Sequence, residues 1–315
     1  MTSRTETLPS ANGHPLAGLL TVMWHYVREP DEEPRVGAGA VRPRDFDRQL
    51  DLVARHRTVV GWPAVARALE GVAPLPQNPT LLTFDDGLVD HHRTVGPRLA
   101  ARGWPGVFFA MARASGDPLS VGHRIHILLA DRSPAELRSA VLERLDSANR
   151  QRFEHAEARE VAAGFDPVDV LKRPLQRDLA DAAGPILSAL IEERHGDERA
   201  LADRLHLLDA DVAGLRAAGM AIGGHGSRHL WFDHESADRV TAEVEASAAS
   251  LGPEPRPWVF AYPYGAGCPA ATAALQRCGF SAAFHARPTA SAGPWDLGRV
   301  DAEDDDFAAV VAAQP

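Results

Sequence analysis

Short apolar runs that alternate with amphipathic stretches constrain this 315-residue chain more than any other feature. Residues 80–84 and 106–111 read as apolar strands, and residues 89–102 between them read as a helix with Gly103 as its stop signal. Strand, helix and strand in that order predict parallel strands joined by helical crossovers. The pattern begins upstream, with a strand over 16–26 and a helix over 45–56 whose apolar residues Phe46, Leu50 and Val53 keep helical spacing. A short strand at 58–60 and a helix at 62–70 opened by Pro63 follow, and the Pro-rich stretch 74–79 breaks the chain before the next strand. The alternation returns late, with helices over 209–219, 234–250 and Pro269–Cys278, and strands over 220–222, Trp258–Ala261 and 280–285. The expected fold class is α/β.

Between these two blocks the character changes. Residues 115–206 nearly lose their aromatics and are dominated by Ala, Leu, Arg and Glu, a helical composition. Ser133-Pro134-Ala135-Glu136 marks one start with an N-cap, a first-turn proline and a capping-box glutamate. The chain therefore divides into a disordered tail over 1–15, an α/β unit over 16–114 and 207–315, and a helical insertion over 115–206. The insertion is expected to hold three to five helices and to act as a lid or an oligomerisation element.

The formal net charge of −10 disfavours nucleic acid and anionic membranes as partners. Two cysteines, Cys268 and Cys278, make no disulfide framework; two reduced thiols are expected rather than a bridge between them. The apolar run at 16–24 is too short to span a bilayer, and the polar N-terminus lacks the apolar core of an export signal. The expected location is the cytoplasm.

Chemistry collects where apolar strands end. Thr83-Phe84-Asp85-Asp86-Gly87 sets two adjacent carboxylates at the carboxyl end of a strand, where α/β folds place their ligands. Neighbouring side chains diverge on an extended backbone, so one carboxylate can face a metal and the other a water. Alone, Asp-Asp-Gly is equally a good turn. His225-Gly226-Ser227-Arg228-His229 also follows a strand, and histidines four apart can converge on one divalent ion; alone, they can equally be a surface pair in a Gly-rich turn. Together, Asp86, His225 and His229 make a three-ligand set with positions open, and Asp85 is left to act as general base. Phe260-Ala261-Tyr262-Pro263-Tyr264-Gly265 ends a third strand, with aromatics around a proline suited to a sugar ring and a backbone N–H suited to an oxyanion; alone, it reads as ordinary strand-end packing.

In this order the three segments resemble the NodB-type polysaccharide deacetylase family, with its T-F-D-D-G, H-[ST]-x-x-H and R-x-P-Y motifs. The resemblance covers most of residues 16–112 and 207–301. It implies a distorted (β/α) barrel, Asp85 as catalytic base, and Asp86, His225 and His229 as ligands of zinc or another divalent ion. It also implies that Tyr264 lends its backbone N–H to the oxyanion, with Tyr262 and Pro263 as substrate wall. Two positions depart. Gly226 stands where the family has Ser or Thr, and Ala261 where it often has the arginine that orients the base, so Arg299 is the candidate replacement from another strand. Trp24-His25-Tyr26-Val27 resembles the Y-H-x-V pattern of a permuted subgroup that carries its acid histidine on the first strand. His25 is thus the expected general acid, with His285 second; the other reading of His25 is a buried, hydrogen-bonded core histidine. His91 and His92 are expected on the exposed start of a helix, and His234 is given no role. His123 and His126 open the insertion close to a strand end, where they are expected in a solvated loop, the alternative being an anion-binding contact to substrate.

The implied reaction is metal-assisted removal of an N-acetyl or similar N-acyl group from an amino sugar or a small sugar-containing intermediate. Hydrolysis of another C–N bond, a formamide or a cyclic amide, is the alternative on the same scaffold, and a catalytically inactive sugar-binding barrel is a third reading. The partner expected is the small N-acylated sugar itself, with a homo-oligomer possible.

Overall fold

The computed structural model describes residues 15–112, 118–252, 255–289 and 293–313. Of the expected tail over 1–15 only Pro15 is described, and the expected start of the insertion near 115 lies outside the described residues. Ten strands form in the order β1 (Leu20–Trp24), β2 (Tyr26–Val27), β3 (Ala40–Val41), β4 (Thr58–Val59), β5 (Pro79–Phe84), β6 (Val107–Ala110), β7 (Ala221–Gly224), β8 (Trp258–Ala261), β9 (Phe280–Phe284) and β10 (Val300–Asp301). Eight make one parallel sheet in the order β10-β1-β5-β6-β7-β8-β9, with β4 on β5; β2 and β3 pair separately. The segment before β10 pairs with β9 through Leu297 while Val300 pairs with Val22 of β1, so an irregular stretch bridges the two ends of the sheet. This is the distorted (β/α) barrel.

Alternate side chains of each strand belong to different apolar clusters, as a period of two requires. Leu81, Val107, Phe109, Val259, Ala261, Ala282 and Phe284 pack together with Trp62 and Val65 of the helix Trp62–Leu69. Leu82, Phe84, Phe108 and Phe260 instead join the helices outside, where Phe46, Leu50 and Val53 supply the face expected for Pro43–His56.

Between Val121 and Leu205 the chain forms six α-helices, more than the three to five expected. They enclose a third cluster that includes Leu137, Val141, Phe153 and Leu187. The helix Pro134–Arg144 begins with the capping box read from its sequence, Ser133 and Glu136 bonding each other's backbone N–H. No helix among the described residues is long and apolar enough to cross a membrane.

Candidate active site

Because the sheet is parallel, the carboxyl ends of β1, β5, β7 and β8 open on one face. There His25, Asp85, Asp86, His225, His229, Tyr262 and Tyr264 line a cavity of about 300 Å³. The insertion supplies other walls, among them His123, His126, Lys172 and Gln176.

The strand period turns Asp85 the same way as Thr83. It is 2% exposed and meets Arg299 in a two-pronged pair, Nη1 to Oδ1 at 2.7 Å and Nη2 to Oδ2 at 2.6 Å. Burial alone pushes this carboxyl up, but Arg299, assisted by His225 and His25, outweighs it and holds Asp85 below the usual range. Arg299 also donates from Nε to the His285 carbonyl and lies over the Phe109 ring. Its donors are directed at protein atoms, and Arg299, expected also as a substrate contact, does not line the cavity. Pro263 likewise stays out of the lining, while Tyr262 and Tyr264 enter it.

Asp86 takes a left-handed backbone, φ 74°, which swings its side chain away from that of Asp85. Its Oδ1 lies 3.2 Å from His225 Nε2 and 3.2 Å from His229 Nε2, and the two Nε2 atoms are 3.2 Å apart. His225 Nδ1 stands 2.7 Å from the Ala261 carbonyl and must donate to it, so the Nε2 of the neutral ring presents a lone pair. Asp86 Oδ1 is buried without a hydrogen-bond partner. Asp86 Oδ1, His225 Nε2 and His229 Nε2 thus converge in a triangle within reach of a single ion. Ligands 2.0–2.1 Å from a tetrahedral zinc stand roughly 3.3 Å apart, so the set fits such an ion. Burial raises the Asp86 carboxyl, yet the imidazoles of His229, His123 and His225 more than offset this and hold it well below the usual range.

The second loop is stabilised in a way its departure from the family pattern obscures. Glu243 is buried on the helix Ala237–Leu251 and accepts from Ser227 N, Ser227 Oγ and Arg228 N at 2.7–2.8 Å. Gly226 has φ 73°, and a Cβ there would stand 2.8 Å from Glu243 Oε2.

His25 follows β1 and is half-buried in the cavity. Burial lowers its pKa, but Asp86, Asp85, Asp301 and Glu303 together raise it above the ordinary imidazole value. His285 is turned elsewhere, with Nδ1 2.7 Å from the Gly265 carbonyl and Nε2 3.2 Å from Asp296. The expectations for His91, His123 and His126 fail. His91 is fully buried, not exposed; its Nε2 donates to the His25 carbonyl at 3.2 Å, and burial lowers its pKa to about 4. His123 is on a buried helix, Val121–Leu128, not in a solvated loop, and its Nε2 is 3.2 Å from Asp86 Oδ2. His126 sits on the same helix beside the Tyr26 hydroxyl, whereas His92 is half-exposed against Asp211 and His234 is exposed. The spacing Ser120-x-x-His123, an N-cap serine three residues before a histidine, is the sequence signal for this placement.

No protein-family profile matches the chain and no curated protein sequence does. Solved structures do. IcaB from Ammonifex degensii is 20% identical over 94% of this chain and 97% of its own, with a TM-score of 0.54. The de-N-acetylase from Aggregatibacter actinomycetemcomitans is 15% identical over 94% and 99%, TM-score 0.54, and the Streptococcus pyogenes deacetylase PplD is 15% identical over 90% of each chain, TM-score 0.53. At such identities the likeness is one of architecture. The barrel of this chain is the fold of the polysaccharide deacetylases.

Proposed function

We propose that the chain is a metal-dependent deacetylase that hydrolyses the N-acetyl, or a similar N-acyl, group of an amino sugar or small sugar-containing intermediate. The convergence of Asp86, His225 and His229 beside an Asp85 locked by Arg299 carries this reading. A divalent ion held by those three residues, zinc by the chemistry of the set, would polarise the acyl carbonyl and acidify a water. Asp85, ionised at neutral pH, takes the proton of the attacking water. Arg299 holds both Asp85 oxygens and keeps the carboxylate charged and in one orientation. Tyr264, in a turn with φ 57°, offers its backbone N–H to the developing oxyanion. His25, its pKa raised, carries the proton that goes to the departing amine.

A small substrate is supported by the cavity, whose roughly 300 Å³ lies at the low end for small-molecule sites. The insertion closes over it and so acts as a lid. A cytoplasmic location is part of this reading, supported by the two free thiols Cys268 and Cys278. Release of acetate or formate from N-acylated amino sugars, measured before and after chelation, tests the whole. Loss of activity on chelation and its return with zinc are expected; undiminished turnover by metal-free protein overturns the reading.

A further inference from the structure

The insertion reaches into the centre of the site. We propose that His123 is a positioning residue for the Asp86 carboxylate, and that through it the insertion sets how tightly the metal is held. The inference rests on the metal assignment above.

Ser120 caps the helix Val121–Leu128. Its Oγ accepts the His123 backbone N–H at 3.1 Å and lies 2.8 Å from His123 Nδ1. At the other edge of the ring, Nε2 stands 3.2 Å from Asp86 Oδ2. A carboxylate oxygen only accepts, so Nε2 must carry hydrogen; Nδ1 of the neutral ring then accepts the Ser120 hydroxyl proton. Ser120 Oγ, both ring nitrogens of His123 and Asp86 Oδ2 are then satisfied, and Asp86 Oδ1 is left facing the other two imidazoles. The opposite tautomer would set two lone pairs against each other around a side chain only 2% exposed. Asp86 is thereby divided: Oδ1 faces the imidazoles of His225 and His229, and Oδ2 is held by His123. Without that hold the carboxylate is free to turn about its broad terminal torsion.

The helix bearing His123 is fixed within the insertion. Arg124 Nε donates to buried Glu198 at 2.5 Å, and Glu198 also accepts from Ser188 Oγ at 2.6 Å. Both flanks of the inserted stretch are tied to the metal-binding loops. Ala112 N donates to the Gly226 carbonyl at 2.8 Å, and Leu207 N donates to the Gly87 carbonyl at 2.8 Å. Seating of the insertion and the orientation of Asp86 are therefore one mechanical unit.

The test is zinc affinity of the full chain, stripped of metal and titrated against a chromogenic chelator, with the visible spectrum of the cobalt(II)-loaded protein as a second readout. His123→Ala should weaken zinc binding about ten- to a hundred-fold and alter the cobalt spectrum. His123→Gln, whose amide N–H reaches close to the lost Nε2, should restore most of the affinity. Wild-type affinity and spectrum in folded His123→Ala would overturn the inference. Should the alanine variant not fold, His123→Gln against the shorter His123→Asn decides: tighter binding by the glutamine variant supports it, and equal binding sinks it. Failure of the wild-type chain to take up zinc or cobalt is a different result, which defeats the metal assignment itself.

Discussion

Asp85 and Asp86 are neighbours in sequence and opposites in environment. Asp85 spends both oxygens on one guanidinium, while Asp86 faces three imidazoles. Asp85→Asn should lower kcat/KM about 10²- to 10⁴-fold while elemental analysis finds the metal content unchanged. Arg299→Ala strands a buried carboxylate and should cost about 3–5 kcal/mol in denaturant unfolding. The folded pKa of Asp85 is depressed, so the stability it contributes is present above the ordinary aspartate value and lost as pH falls through the folded one. The gap between wild type and Arg299→Ala should accordingly be full at neutral pH and close in acid. As the proposed acid, His25 acts in its protonated form, so kcat/KM should fall as pH rises through its raised pKa. In His25→Ala that descending limb should vanish from the pH profile along with most of the rate.

At the scale of the elements, the loops after the strands do the placing. Among the described residues four non-glycines have positive φ, and three of them, Asp86, His229 and Tyr264, are in this site. Such conformations persist where the surroundings over-determine them. Here the surroundings are visible: Glu243 braces the His225–His229 loop, and Leu207 and Ala112 bond the backbone at Gly87 and Gly226. Gly226→Ser brings the chain closer to the family pattern, yet it should destabilise by about 1–2 kcal/mol because the residue is left-handed. Chemical unfolding of that variant against wild type checks the sign.

At the scale of the molecule, a bound ion and the helices between Val121 and Leu205 should stabilise each other. A ligand at a thousand times its dissociation constant adds about 4 kcal/mol to the folded state. Zinc should therefore raise the melting temperature of metal-free protein, and a chelator should reverse the rise. Hydrogen exchange should slow on metal binding in the helix Val121–Leu128 as well as at the strand ends.

By itself the sequence determined the parallel α/β class, the strand ends that carry chemistry, and the three metal-ligand candidates. Those properties are local: apolar period, caps, and residue types at fixed spacing within a loop. Two spatial facts were also anticipated, and both came through the family resemblance rather than the residues alone: the barrel, and Arg299 as the partner of Asp85. What only the tertiary structure decided lies across long sequence separations. His91 under His25, Glu243 under Ser227 and His123 against Asp86 are contacts between residues 16 to 66 positions apart. No periodicity encodes such a pairing, because it depends on which loop a helix is packed beside. A stretch whose composition reads only as a helical insertion therefore puts a buried histidine on the Asp86 carboxylate.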